Sequence, residues 1–356
     1  MPPSRGCRAR TNPSMHDVIV AGGGPVGLAA ALYAQRVGLD VVVREPRTGP
    51  IDKACGEGLM PGAVAALHEL GVAPAGHPIA GISYLDGRHR VDAPFGRGPG
   101  LGVRRTTLHA ALLDAADRAG IAVSGPAVHQ VHDRADHLLV DGEPTRFLLA
   151  ADGLHSRVRR LVGLDGPHRP GGYRRHGLRR HVSCPPWTDF VEVHWSSVGE
   201  AYVTPIAERQ IGVALLTTRT GRFEDLITGF PGLTERLAGL DAGPVRGAGP
   251  LRQRVRGRVR GRVLLIGDAA GYVDALTGEG LALGLAQARA AVAGIRTGQV
   301  EGYEAAARRL GRRHTALTLG LLTATRLPAV RRGLVPAARH LPGVFRAAVD
   351  QLARPA

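Results

Sequence analysis

The sequence predicts an α/β protein in which a parallel sheet carries helices, a block of antiparallel strands interrupts it, and a helical region closes the chain. Three observations predict this. Asp17 to Ala21 (DVIVA), the run FLLAA starting at Phe147 and the run VLLI starting at Val263 are short, continuous and apolar, and each ends in a glycine-bearing turn. That is the pattern of parallel strands buried on both faces. Between Pro170 and Leu251 the pattern shifts to short alternating runs, HGLRRHV, FVEVHW, EAYVTP and QIGVALLT, which read as antiparallel strands with one face packed and one free. From Tyr303 onward the chain reads as helices broken at Pro328, Pro336 and Pro342.

Composition sets the outer bounds. The chain has 356 residues, a hydrophobic fraction of 44% and a charged fraction of 21%, which is the make-up of a folded globular protein. Its net charge is +16, and its pI is near 11.1. Of the 46 basic residues, one alone, Lys53, is a lysine. Arginine usage of this kind points to a GC-rich coding sequence, so the charge is a weak argument for a nucleic-acid partner. Aromatic residues make up only 4%, and no stacking motif interleaves with the arginines, so no nucleic acid is expected. Arg252, Arg254, Arg256, Arg258, Arg260 and Arg262 alternate, and on a strand they would line one face as a solvated sheet edge. Cys7, Cys55 and Cys184 lack metal-ligand spacing and read as reduced thiols of the cytoplasm, with no metal site expected. The first fourteen residues hold no apolar run, hence no signal peptide. They read as a disordered arm, or translation starts at Met15. No run approaches 18 apolar residues, so no membrane span is expected.

The first strand leads into Gly22-x-Gly24-x-x-Gly27, with Pro25 inside the turn; a helical run, LAAALYAQRVG, follows, then the strand LDVVV and Glu45. In that order the parts make a dinucleotide site. Gly22 permits the tight turn, Gly24 lets backbone approach a pyrophosphate, and Gly27 lets the helix pack on the strand. The helix N-terminus offers free N–H groups to phosphate, and Glu45 would accept hydrogen bonds from a ribose diol.

Two later segments extend the pattern: Asp152-Gly153 after the Phe147 run, and Gly267-Asp268-Ala269-Ala270 after the Val263 run. Together with the Gly22 turn and Glu45, these motifs resemble the single-component FAD-dependent monooxygenases of the p-hydroxybenzoate hydroxylase fold, a fold shared by geranylgeranyl-reductase-like flavoproteins. The resemblance spans nearly all of the chain after Met15. It implies a Rossmann-like FAD-binding domain in three parts (15–80, 101–170 and 251–300), an inserted antiparallel-sheet substrate domain in two (81–100 and 171–250) and C-terminal helices over 301–356. It further implies that Asp268 bonds the ribityl hydroxyls of FAD and that Asp152 and Gly153 lie near the pyrophosphate and serve both FAD and NAD(P)H. Arg105, with Arg104 as the alternative in register, would stand near the flavin phosphate or ribityl side. Gly278 and Gly280 would open the helix that faces the flavin pyrimidine, where a helix N-terminus stabilises the anion of reduced flavin. Glu279 reads as a helix-start acid or a participant.

The run Lys53-Ala54-Cys55-Gly56-Glu57-Gly58-Leu59 falls where this fold passes over the flavin and resembles Cys-Gly-Glu-Gly flavoproteins, the reductase-like branch included. Lys53 is therefore a candidate contact to flavin or substrate, since a compact ammonium differs from arginine's planar fork. A surface lysine is the alternative. Cys55 reads as a small buried hydrophobe. His194 shares a strand face with Phe190 and Glu192, and would serve as a base for a phenol if that face looks into the pocket.

The activity the resemblance implies is NAD(P)H- and FAD-dependent hydroxylation of an aromatic, phenolic small molecule by dioxygen, through a flavin C4a-hydroperoxide. Actinobacterial hydroxylases of polyketide phenols such as alkylresorcinols are the resembled subgroup. The alternative is reduction of polyprenyl or other unsaturated lipid double bonds, against which stands the loss of the tryptophan and phenylalanine of a Tyr-x-Trp-x-Phe-Pro motif at Tyr202–Pro205. The basic, apolar tail packs over the two domains or lies peripherally on the inner membrane face, where it would suit a lipid-tailed substrate.

Overall fold

A computed structural model describes residues 15–167 and 174–353. The expected arm over 1–14, with Cys7, lies outside the described residues. The parallel core runs in the spatial order Val41–Arg44, His16–Ala21, Glu143–Ala150, Val263–Leu265, all parallel. A short antiparallel strand, Val259–Arg260, borders the last of these, and the hairpin Val131–Asp133/Leu138–Val140 pairs antiparallel with Glu143–Thr145. Val18, Ile19 and Val20 are fully buried, as are Leu148 and Leu149, which explains why these strands read as unbroken apolar runs. The helix Pro25–Arg36 buries Leu28 to Ala31 completely, and the helix Gly280–Thr297 packs beside it. That contact needs Gly284: a Cβ there would lie 2.5 Å from Val26 Cγ2.

The second sheet runs Arg246–Ala248, His176–Val182, Gln210–Thr217, Gly199–Ala207, Phe190–Trp195, Gly81–Leu85, Arg90–Pro94. All pairings are antiparallel except Phe190–Trp195 with Gly81–Leu85. The expectation of one free face needs correction, because both faces are covered. Val203, Val213 and Leu215 pack on Phe223, Leu226 and Phe230 of two short helices. On the other side Val193, Trp195 and Ile82 meet Met60 and Leu276, from the part of the chain built on the parallel sheet, and Phe345 of the C-terminal helices. A small sheet of Gly58–Leu59, Gly100–Gly102 and His77–Ile79 joins the two parts. It sits so close to the strand Gly199–Ala207 that a Cβ on Gly102 would fall 1.7 Å from the Pro205 carbonyl oxygen.

Helices Gly302–Ala324, Pro328–His340 and Pro342–Leu352 close the chain, and Val335, Phe345 and Val349 bury into the sheet face. Pro328 and Pro342 open helices, where a missing N–H costs nothing. Pro336 differs from expectation. It lies inside a continuous helix, whose packing through fully buried Val335 compensates for the lost backbone bond. The alternating arginines also depart from expectation: only Val259–Arg260 is strand, and the rest of the run is turn and loop. Arg258 pairs with Glu304 at 3.2 Å, so the run works through individual contacts.

Candidate functional site

The glycine turn is built as its spacing demands. Gly22 has φ +103°, and a Cβ there would come within 2.6 Å of the Ala151 carbonyl oxygen. A Cβ on Gly27 would lie 1.9 Å from the Gly22 oxygen. Gly24 differs: beyond its own surroundings a Cβ would meet only an Arg105 guanidinium nitrogen, at 3.9 Å, so it borders open space. Gly24 caps the helix, Pro25 is its first residue, and no side chain caps that N-terminus.

Glu45 directly follows its strand beside the turn and is buried, accepting from the Gly23 N–H at 2.9 Å. Arg47 Nε donates to Oε1 at 2.7 Å, and its outer nitrogen donates to Oε2 at 2.9 Å. Burial alone would raise the Glu45 pKa, but the bonds from Arg47 and Gly23 outweigh it and hold the carboxylate below its ordinary range. Behind the turn, buried His109 bonds the Gly23 carbonyl at 2.7 Å and accepts from Ile51 N–H at 3.3 Å. Burial, with Arg105 and Arg47 nearby, pushes the His109 pKa down. A cavity of about 470 Å³ opens here between Glu45–Gly49, His109 and Val123–Pro126, sized for a nucleoside. Neither His109 nor Val123–Pro126 carries a motif, so the sequence held no signal for them.

Arg105, Lys53 and Asp268 converge on the middle of the cleft. Gly267, with φ +60°, sits against Val26 and donates to Gln287 Oε1 at 2.9 Å, which holds the turn that presents Asp268. Burial raises the Asp268 pKa against the opposing pull of Arg105 and Lys53. Lys53 stands solvent-exposed in the cleft yet crowded by protein, its ammonium 3.5 Å from where a Cβ on Gly153 (φ +82°) would be. Desolvation first, then Arg47 and Arg105, lower its pKa. The Nε atoms of Arg104 and Arg105 are buried with no hydrogen-bond partner among the described residues. An open glycine, orphaned guanidinium nitrogens and a crowded ammonium along one cleft fit a dianionic dinucleotide.

Asp152 lies at the mouth of the cleft, but its carboxylate is occupied: it accepts from Ser156 Oγ at 2.5 Å and from the N–H groups of Arg157 and Val158 at 2.7 and 3.0 Å. It satisfies the first two N–H groups of the short helix Arg157–Leu161, whose N-cap is Ser156. Gly278 has φ +69° and lies against Met60, and Gly280 opens the long helix beside Tyr272. Glu279 pairs with His314 at 3.0 Å, a structural anchor to the next helix.

His194 requires correction. Strand register places it opposite Ala201, on the side packed by the Phe223 and Phe230 helices, while Val193, opposite Tyr202, looks toward the cofactor side. The side chain bonds Glu192 at 3.1 Å, in a group with Trp187 and Arg90. The two-residue period of the strand turns it away from the cleft.

Sequence reasoning missed the scaffold beneath Lys53. Glu57 is buried with φ +59°; its Oε1 accepts from Arg105 N–H at 2.9 Å and its Oε2 meets His181 Nε2 at 2.7 Å. Arg179 reaches His181 at 3.2 Å and the Lys53 carbonyl at 3.3 Å, and also pairs with Asp52. Thr204 Oγ1 donates to the Gly56 carbonyl at 2.9 Å. Cys55 is half-buried, not a core residue, and its sulfur accepts from Glu57 N–H at 3.4 Å. The one available signal was the acid in the Cys-Gly-Glu-Gly turn. A second buried group joins the sheet to the loop that carries Asp274: Arg175 pairs with Glu200 and with Asp274 at 3.3 Å, while Arg331 reaches Glu200 at 3.2 Å. Burial, reinforced by Glu200 against Arg175, pushes Asp274 up to about 6.

Fold and cleft together define a flavin-dependent oxidoreductase. Residues 15–220 match the family model described as an FAD binding domain, and the chain belongs to that family, the FAD-dependent oxidoreductases of the p-hydroxybenzoate hydroxylase type. It is 32% identical over 333 residues to a menaquinone reductase of Mycolicibacterium smegmatis, covering 82% of this chain and 78% of that one. It is 30% identical over 305 residues to a 2-heptyl-3-hydroxy-4(1H)-quinolone synthase of Pseudomonas aeruginosa, covering 76% and 78%. The fold matches p-nitrophenol 4-monooxygenase PnpA of Pseudomonas putida with a TM-score of 0.73, at 19% identity, over 95% of both chains.

Proposed function

We propose that this chain uses FAD and NAD(P)H to hydroxylate an aromatic small molecule, with dioxygen as co-substrate and a phenol of the alkylresorcinol or polyketide type as the favoured substrate class. The observation that carries the reading is the position of Tyr202. It lies on the sheet face that looks toward the cofactor side and donates to the Leu276 carbonyl at 2.9 Å, beside the loop leading to Gly278 and Gly280. Ala214 and Leu216 share that face by register and give it an apolar part, while the buried Arg175–Glu200–Asp274 group borders the phenol on its polar side. Such a wall suits a flat ring held by one polar edge.

Bound FAD would supply hydride acceptance from NAD(P)H and the activation of dioxygen. The chain's own part is to bind, orient and shield. The Gly22–Gly27 turn and Arg105 hold the phosphates, and Glu45 holds the ribose once Arg47 shares it. Lys53 and the N-terminus of the Gly280 helix place positive charge where the reduced cofactor is negative. The Lys53–Gly58 segment, fastened by Glu57 and Arg179, roofs the site against water.

A second reading, reduction of a double bond in a prenyl lipid, is favoured by the similarity to the menaquinone reductase and by the Cys55-Gly-Glu-Gly turn standing in the cleft. One experiment separates them: NAD(P)H-driven oxygen uptake by FAD-loaded protein, with resorcinols and simple phenols. Uptake stimulated by one phenol with little peroxide released supports hydroxylation. No stimulation by any phenol, with anaerobic double-bond reduction of a menaquinone, moves the second reading ahead.

A further inference from the structure

We propose that the corner between the last two described helices, with the exposed start of the first of them, is a docking surface for an anionic lipid bilayer. Among the described residues, half of the large apolar side chains left exposed sit in this region. Leu341 and Val344, at the corner, are 58% and 65% exposed; Leu327 and Val330, at the other end of the helix Pro328–His340, are 60% and 38% exposed. On helical geometry Leu327, Val330 and Leu341 fall within about 60° of one another around the axis, so the two exposed ends share one side of the helix, and Leu334 and Ala338 between them pack on the core. The helix between them spans about 20 Å at 1.5 Å per residue.

Burial does not require these residues. The helix already anchors itself at its middle through Leu334, Val335 and Ala338, and its neighbour through Phe345 and Val349. Single exposed leucines need no explanation, but several on one projecting element mark an interaction site. The charge selects the partner. From residue 305 to residue 349 the chain has nine arginines and no acidic residue. Arg339, His340 and Arg346 flank the corner and are exposed. Apolar side chains at a turn, ringed by arginines with no acid between, match the acyl boundary and headgroups of an anionic leaflet. No described helix is long and apolar enough to cross a membrane, so the contact is with the surface. The same group of helices covers the sheet that walls the proposed substrate site, which would let a lipid-tailed molecule enter from the bilayer.

The test is sedimentation of the full FAD-loaded chain with vesicles, without substrate, so its result is independent of the redox reading. Phosphatidylcholine vesicles are compared with phosphatidylcholine–phosphatidylglycerol vesicles, using wild type, the triple variant Leu327→Ser/Leu341→Ser/Val344→Ser, and the pair Arg339→Glu/Arg346→Glu. The expected result is binding to the anionic vesicles that falls at least tenfold in both variants, while thermal unfolding and FAD content stay at wild-type values. Wild type remaining in the supernatant with anionic vesicles at physiological salt overturns the proposal. So does binding unchanged by the triple variant. A dimer in lipid-free buffer that the triple variant converts to monomer also overturns it, by assigning the corner to a second copy of the chain.

Discussion

Glu57 Oε2 and His181 Nε2 meet at 2.7 Å across 124 residues of sequence, both side chains buried. The contact joins the turn that passes over the cofactor cleft to the sheet that walls the substrate side. Glu57 also receives the N–H of Arg105, so one carboxylate sets the turn, the sheet and the start of the helix that carries Arg105, the arginine proposed to face the phosphates. Truncating one partner of a buried pair leaves the other uncompensated. Glu57→Ala is therefore expected to lower unfolding free energy by about 3 kcal/mol and to weaken FAD binding. Glu57→Gln, which keeps an acceptor for Arg105, should lose less of both. Urea unfolding and flavin fluorescence titration check this.

Lys53 makes no demand on the fold, because its side chain stands exposed in the cleft. Lys53→Ala is expected to leave the unfolding midpoint within experimental scatter and to weaken FAD binding by roughly tenfold, about 1.4 kcal/mol. Lys53→Arg should not restore it, since a planar fork needs more room than an ammonium. Equal FAD affinity in all three proteins would remove Lys53 from the site.

The turn glycines should separate by mechanism. Gly27→Ala places a methyl 1.9 Å from the Gly22 oxygen, so the apo protein itself should be strongly destabilised. Gly24→Ala meets only the end of Arg105, at 3.9 Å, and should leave the apo protein within about 1 kcal/mol of wild type while reducing FAD affinity, because the methyl enters the space left for the pyrophosphate. Calorimetry of the apo forms, followed by FAD titration, distinguishes the two.

Asp274 should give a pH signature. Its pKa in the folded chain is about 6, raised from the ordinary range of an aspartate, so the folded state holds this proton after the unfolded chain has released it. The contribution of Asp274 to stability is then full below about pH 4 and is lost as pH rises to about 6. The stability difference between wild type and Asp274→Asn should change across that window by on the order of 2 kcal/mol and be flat above it. Paired denaturation curves from pH 4 to 8 read it directly, and a flat difference would show that Asp274 is not raised.

His194 points away from the cleft, so His194→Ala should change turnover less than about twofold and leave its pH profile unmoved. A tenfold loss with an altered acidic limb would place His194 back in the chemistry.

Much of the candidate cleft was legible because its parts are local. Gly22, Gly24, Gly27 and Glu45 lie within one strand–turn–helix–strand unit, and the strand ends at Asp152 and Asp268 follow apolar runs that read plainly as buried strands. Period-two alternation likewise put Phe190, Glu192 and His194 on one face. It carries no label for which face looks inward, and the neighbouring helices gave that face to the wrong side for catalysis. Pro336 failed as a helix breaker for a related reason: local propensity opposed the helix, and packing of Val335 outweighed it.

By itself, then, the sequence determined the parallel core, the dinucleotide turn, the change to antiparallel strands and the helical end, because each depends on spacing along the chain. Tertiary structure alone decided the rest. It brought Glu57 to His181 and Arg105, Asp52 and the Lys53 carbonyl to Arg179, and Asp274 to Arg175, and it turned His194 outward. These pairings join segments from 48 to 127 residues apart or set one face of a strand against another. Burial of complementary charge selects such partners, and no local periodicity records them.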